Sequence, residues 1–312
     1  MKPTIISTFA GCGGSSLGYQ WAGFDELLAI DFESHAVETF RLNFPDVDIW
    51  QADICKVTTE AILERTGIEV GELDVLDGSP PCQGFSTAGK RKVGDTRNDL
   101  AFEFVRLIEG LKPRVFIMEN VSGMAKGGMK GRFNEILTAL KGTGYYVEAH
   151  KLNAMYYGVP QSRERIIFIG MRDGQKIKWP ERQEIITVRE AIGRIENSSK
   201  ELQESALKHT WQMYRVLTGQ EKKKHFSLVR LVNDRPSAAI LKDAGNTATG
   251  TIHPIELRRL TTTEVAILMS FPADFVQVGS FKERWARFGN AVPPKMMQAI
   301  AECVKEVLEG DM

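Results

Sequence analysis

Up to residue 170 the chain alternates short apolar runs, each bounded by turn residues, with amphipathic stretches, and that rhythm leaves few folds open. Residues 4–9, 27–30, 73–76, 115–118 and 166–169 read as strands, with a further strand-like piece at 47–50. Strands that alternate with helical patterns form βαβ units, so the expectation is an α/β, Rossmann-like, mainly parallel sheet. One helical face is spelled by Phe102, Val105, Leu107 and Ile108, with Asn98 and Asp99 just before it as capping candidates. Past Gly170 the rhythm breaks. Residues 171–255 have weak periodicity and turn-rich pieces such as Asp243-Ala244-Gly245-Asn246, which predicts a second, smaller domain there. Pattern returns at 261–269, and Met297, Ile300, Ala301, Val304, Val307 and Leu308 mark a last helix started by Pro293-Pro294. That helix is expected to pack back on the first domain, which then comprises residues 1–170 plus 256–312.

Charge sharpens this division. The chain has 312 residues with 40 Lys and Arg against 40 Asp and Glu, a formal net charge of zero. The first 80 residues hold 4 basic and 14 acidic side chains, which leaves 36 and 26 for the remainder, so the neutrality is a cancellation of −10 and +10. Residues 171–255 carry 15 basic and 10 acidic residues, including Lys222, Lys223 and Lys224. A charge run by itself reads as a solvated face. No apolar run approaches the ~20 residues of a membrane helix, so no membrane partner is expected. The four cysteines are scattered, form no CxxC pair and follow no cleavable leader, which points to a reducing, cytoplasmic setting with free thiols and no metal.

After the first strand comes Phe9-Ala10-Gly11-Cys12-Gly13-Gly14-Ser15-Ser16-Leu17-Gly18. Glycines permit a tight strand-to-helix turn and close approach of backbone to a ligand at the helix N-terminus. Asp31 ends the next strand 20 residues past Gly11, the separation at which an acid reaches a ribose hydroxyl. Phe32 suits either the core or an adenine face, and Asp53 either an adenine amino group or a turn cap. A dinucleotide binder wants G-x-G-x-x-G; the third glycine is missing here, so a nucleoside-type cofactor fits better.

Asp77-Gly78-Ser79-Pro80-Pro81-Cys82-Gln83-Gly84-Phe85-Ser86 follows the fourth strand. The prolines fix an extended turn that presents Cys82 at a carboxyl edge, where ligands bind in open α/β sheets. Cys12, Cys55 and Cys303 read instead as small buried hydrophobes. Gly84, Gly89 and Gly94, interspersed with Lys90, Arg91, Lys92 and Arg97, describe a cationic loop able to close on a polyanion.

These segments, together with Glu119-Asn120-Val121, Gln161-Ser162-Arg163-Glu164-Arg165, residues 259–275 and Gly289-Asn290-Ala291-Val292-Pro293-Pro294, resemble the ordered motifs of the DNA cytosine-5 methyltransferases. The resemblance spans nearly the whole chain except 171–255, where that family carries its target recognition domain. It implies an S-adenosylmethionine-dependent methyltransferase fold and a base flipped out of duplex DNA. Cys82 would add to cytosine C6, because a thiolate is a strong nucleophile and leaves again by elimination. Glu119 would protonate or hydrogen-bond N3, braced by Asn120. Arg163 and Arg165 alternate along an extended piece, so one would hold cytosine O2 and the other a nearby group or phosphate. For the cofactor, the resemblance implies Phe9, Ala10, Gly11, Gly13 and Gly14 at the methionine end, Asp31 on the ribose, Phe32 on the adenine, Asp53 and Ile54 at its edge, and Asn290 and Val292 closing the pocket. Gln83, Ser86, Lys90, Arg91, Lys92 and Arg97 become DNA-facing residues of the closing loop, and Lys222, Lys223 and Lys224 meet phosphates. One departure from the pattern is Ser7-Thr8, where the family's commonest form has Asp-Leu.

Three other readings compete. A tRNA-methylating branch shares the motifs but carries Cys-Phe-Thr in its recognition region, and residues 171–255 contain no cysteine. A nicotinamide oxidoreductase is opposed by the glycine spacing, and an inert DNA-binding relative by the intact Cys82, Glu119, Arg163 and Arg165. The expectation is a monomeric, cytoplasmic, prokaryotic or phage-type enzyme on double-stranded DNA, of the restriction–modification kind.

Overall fold

Val, Ile and Leu dominate the early apolar runs, and each becomes a strand in the computed structural model, which describes residues 2–81, 100–125, 130–207, 229–242 and 251–310. The strands are β1 (Thr4–Thr8), β2 (Asp25–Asp31), β3 (Ile49–Gln51), β4 (Val75–Gly78), β5 (Val115–Val121), β6 (Tyr146–Asn153), β7 (Gln161–Ser162) and β8 (Glu164–Met171). Seven of them make one sheet in the order β3-β2-β1-β4-β5-β8-β6. The pairs β1–β2, β2–β3, β1–β4 and β4–β5 are parallel and β5–β8 is antiparallel, so the sheet is mainly parallel as the sequence rhythm implies. Between the strands lie α1 (Gly14–Ala22), α2 (Ser34–Asn43), α3 (Thr59–Thr66), α4 (Leu100–Leu111) and α5 (Lys130–Gly142).

Several boundaries differ from expectation for local reasons. β4 starts two residues late, because Ile5 to Thr8 of β1 pair in register with Val75 to Gly78; Leu73 is buried but precedes the ladder. β6 leaves little trace in the sequence. It is an edge strand whose only buried residues are Val147 and Leu152, and an edge needs no continuous apolar run. On α4 the core face is Ala101, Phe104, Val105, Leu107, Ile108 and Leu111, so Phe104 takes the place expected of Phe102. Phe102 is exposed and carries the Arg132 guanidinium 5.0 Å above its ring. The expected caps Asn98 and Asp99 lie outside the described residues.

The chain forms two units. One is Met1–Leu152 with Glu164–Pro180 and Met297–Met312, the other Asn153–Arg163 with Glu181–Met296. The first holds the seven-stranded sheet and most of the final helix Pro294–Gly310, whose Lys305 Nζ donates to Ala22 O at 3.1 Å. In the second, β7 pairs with Ser237–Ala238, and Val229–Arg230 pairs with Thr251–Ile252. Strands of two residues cannot show an alternation, which is why this region looks patternless. Its helices are signed instead by capping boxes: Thr187 with Glu190, Ser198 with Glu201, Thr261 with Glu264 and Ser280 with Glu283. The buried Arg258 and Glu264, 2.8 Å apart, join two of its segments.

Gly170 stands opposite Phe116 in the β5–β8 pair, and a Cβ there would lie 2.0 Å from the Phe116 ring. Gly170→Ala is therefore expected to cost about 1–3 kcal/mol by overpacking. Urea unfolding of the variant would show a lower midpoint at an unchanged m-value; an unchanged midpoint would refute this account of the glycine.

Candidate active site

The strand order reverses between β1 and β4, and in open α/β sheets ligands bind outside the carboxyl ends of strands at such a switch point. The glycine-rich turn leaves β1 there, and Ser79-Pro80-Pro81 leaves β4 beside it. Thr8 Oγ1 donates to Asp77 O at 2.9 Å and ties the two strand ends together.

The turn has the conformation its glycines anticipate. Phe9, Gly11 and Gly13 have φ of 55, 57 and 91°. Gly13 is required twice, by its φ and because a Cβ would lie 2.2 Å from the Phe44 ring. Among the described residues nothing lies within 4 Å of where a Cβ on Gly11 would be, so its backbone is open to close approach. Gly11 N donates to Asp31 Oδ2 at 2.8 Å and Glu33 N to Asp31 Oδ1 at 2.9 Å. Burial pushes the Asp31 carboxyl up from the ordinary carboxylate range, against those two N–H groups, which draw it down. Two oxygens offer about four acceptor sites, so Asp31 still has room for a hydroxyl donor. Phe32 is 69% exposed, which removes the core reading and leaves its face open. Asp53 caps its own turn, accepting from Cys55 N at 3.1 Å, and Ile54 is buried behind it. In the second unit, Asn290 ends the helix Phe281–Asn290 and Val292 is buried.

Glu119 lies at the carboxyl end of β5 and is buried. The antiparallel register puts Arg165 opposite Val121, which makes Glu119 its diagonal neighbour on the same face. Arg165 Nε lies 2.5 Å from Glu119 Oε1, and both side chains are mostly buried. Asn120 Nδ2 donates to Pro80 O at 3.0 Å, so the strand carrying Glu119 holds the chain two residues before Cys82. Arg163 behaves differently from Arg165. Its guanidinium donates to the carbonyls of Ile240, Gly289 and Ala291, all within the second unit.

Cys82, Gln83, Ser86, Lys90, Arg91, Lys92, Arg97, Lys222, Lys223 and Lys224 lie outside the described residues. Of the other thiols, Cys12 is buried as expected, but Cys55 is exposed and Cys303 half-buried. The reading of Cys55 as a buried hydrophobe fails because its short helical turn faces Ile54 inward instead. Among the described residues no group of three or more His, Cys, Asp and Glu could hold a metal ion, and no helix is long and apolar enough to cross a membrane.

A further buried acid, Asp77, carries no mark of its own in the sequence. Asp77 is buried and accepts from Tyr19 OH at 3.2 Å. Burial pushes its carboxyl up to about 8, opposed by the Tyr19 and Ser15 hydroxyls and reinforced by Glu26 and Glu119. Glu26 accepts from Ser16 Oγ at 2.9 Å and is raised by burial to about 7. Asp77 opens the Asp77–Ser86 segment, but nothing local marks its carboxyl as raised; that follows from burial by the elements around it.

An open, mainly parallel sheet with an antiparallel strand beside its last edge, a cofactor-type turn after β1 and an acid at the end of β5 defines the methyltransferase fold. The sequence profile described as C-5 cytosine-specific DNA methylase matches residues 3–306, and the chain belongs to that family. It is thus an enzyme of DNA cytosine methylation. The Type II methyltransferase M1.HphI of Haemophilus parahaemolyticus is 37% identical over 333 residues, covering 97% of this chain and 87% of that protein. M.NgoFVII of Neisseria gonorrhoeae is 34% identical over 335 residues, covering 98% and 87%. The structure of the Entamoeba histolytica methyltransferase EhMeth shares the fold with a TM-score of 0.76 over 99% of both chains at 17% identity.

A carboxyl whose folded pKa is raised contributes most below its unfolded value, near 4, and that contribution is lost as pH rises through about 8 for Asp77. Asp77→Asn removes this titration but keeps an acceptor for Tyr19. Between pH 6 and 9 the wild-type Tm is expected to fall more steeply than that of the variant, with Glu26 setting the residual slope. Parallel calorimetric scans at constant ionic strength test this, and equal slopes would count against a protonated Asp77.

Proposed function

We propose that the protein transfers a methyl group from S-adenosylmethionine to C5 of a cytosine flipped out of a specific duplex sequence, through a covalent adduct of Cys82 with C6. The observation that supports this most is the Glu119–Arg165 pair at the end of β5, next to an asparagine that fastens the stem of the Cys82 segment.

Cytosine C5 is a weak nucleophile, and addition of a thiolate at C6 turns it into an enamine carbon. Cys82 makes that bond. Electron density then moves to N3, where Glu119 hydrogen-bonds or protonates the ring. Arg165, bound to Glu119, orients that carboxyl and would hold the base O2. Loss of the C5 proton and expulsion of the Cys82 thiolate restore the aromatic ring. Flipping costs a few kcal/mol, offset by pocket and phosphate contacts. Gln83, Ser86, Lys90, Arg91, Lys92 and Arg97 close on the DNA, while Lys222, Lys223 and Lys224 meet phosphates.

The residues fit a nucleoside-type sulfonium cofactor: an open backbone at Gly11, an acid at Asp31 with acceptor capacity left, and an exposed Phe32 face. Phe9, Ala10, Gly11, Gly13 and Gly14 would surround its methionine end, Asp31 the ribose, Phe32, Asp53 and Ile54 the adenine, with Asn290 and Val292 completing the pocket. Bound there, S-adenosylmethionine supplies the electrophilic methyl group and leaves as S-adenosylhomocysteine. Residues 171–255 read the target sequence, and the enzyme works as a single chain in the cytoplasm.

Cys82→Ala is expected to abolish methyl transfer from labelled S-adenosylmethionine to duplex DNA while cofactor binding persists; a fully active variant sinks the assignment. Exchange of residues 171–255 for those of a relative is expected to move methylation to the relative's sequence, read by bisulfite sequencing of host DNA. Unchanged specificity would refute that boundary.

A further inference from the structure

Arg163 is only 1% exposed, and its planar fork ends on main-chain carbonyls: Nη1 to Ile240 O at 3.0 Å, Nη2 to Gly289 O at 2.8 Å and to Ala291 O at 3.1 Å. Gly289 and Ala291 flank Asn290, the last residue of its helix. A helix C-terminus leaves carbonyls without intrahelical partners and favours a cation beside them, so the buried charge and the bare carbonyls satisfy each other. The same segment is also packed closely against residues 241–242. A Cβ on Gly289 would lie 2.6 Å from Lys242 N and 2.7 Å from the Leu241 carbonyl carbon, and Trp285 Nε1 donates to Leu241 O at 2.9 Å. Two residues before Arg163, Gln161 Oε1 accepts from Ile240 N at 3.1 Å, so Gln161 and Arg163 together take up both backbone groups of Ile240.

We infer that Arg163 is a positioning residue: it fixes residues 289–291 against Ile240 and thereby sets Asn290 and Val292 for the cofactor, while the base is left to Arg165. The inference rests on the reading of Asn290 and Val292 as cofactor contacts. An ammonium is a point charge and cannot bridge carbonyls from two segments as the guanidinium fork does, so even Arg163→Lys loosens the segment.

The test titrates S-adenosylhomocysteine into the full-length chain and measures steady-state methylation of duplex DNA for wild type, Arg163→Lys and Gly289→Ala. Gly289→Ala leaves Arg163 intact and pushes the same segment off the 241–242 backbone. Both variants are expected to bind S-adenosylhomocysteine about tenfold or more weakly and to raise KM for S-adenosylmethionine, with kcat at saturating cofactor within about threefold of wild type. Should thermal scans show Arg163→Lys unfolded, Gly289→Ala decides alone. A lowered kcat with unchanged cofactor affinity makes Arg163 a base contact and overturns the inference, as does wild-type affinity in Gly289→Ala. Wild type that fails to bind S-adenosylhomocysteine overturns the cofactor reading itself, and this inference with it.

Discussion

The parallel pairing of β1 with β4 governs the first unit. Thr8 and Gly78 end the two strands side by side, Thr8 Oγ1 closes on Asp77 O, and a Cβ at Gly78 would come within 2.6 Å of both Thr8 and Phe104. Only at the place where strand order reverses do two neighbouring strands send their loops apart and leave a crevice. The turn over Gly11 and the stem that leads to Cys82 both start from that place. Asp77 lies between them, kept neutral near pH 7 by burial, with Tyr19 of the following helix hydrogen-bonded to it. An ionised carboxylate there would be costly, and a neutral one ties β4 to the helix Gly14–Ala22 through Tyr19 with little electrostatic penalty.

The antiparallel strand β8 adds what a purely parallel sheet lacks. Running back along β5, it delivers Arg165 to the carboxyl end where Glu119 sits, whereas a parallel strand in that slot would bring its last residues there instead. The register makes Arg165 and Glu119 diagonal neighbours on one face, within reach of a long side chain, and the Arg165 guanidinium closes the gap to 2.5 Å. Asn120, facing the other way, secures Pro80. One short strand end thus fixes an acid, its cation and the chain at Pro80, two residues before Cys82.

Much of this was legible in the sequence. Strand existence and the parallel class followed from the apolar rhythm, and the glycine turn with Asp31 from spacing, because those features are local and repeat at a fixed period. Strand β6 was illegible, since an edge strand buries only Val147 and Leu152. Phe102 and Phe104 stand about 200° apart around α4, so only one of them can face the core, and the packing of the sheet beneath chooses Phe104. The exposure of Phe32 and Cys55 is not legible in the sequence for one reason: it is set by the neighbours that arrive from elsewhere in the chain.

Sequence by itself determined the family and the open α/β sheet, because motif order and hydrophobic period are written along the chain. Tertiary structure alone decided what those residues do for each other. Arg163 and Arg165 have the same side chain two positions apart, and nothing local distinguishes them. One meets an acid supplied by β5, the other three carbonyls from segments 77 to 128 residues away. A guanidinium takes its role from the acceptors the fold brings to it, and these come from parts of the chain that sequence spacing does not relate.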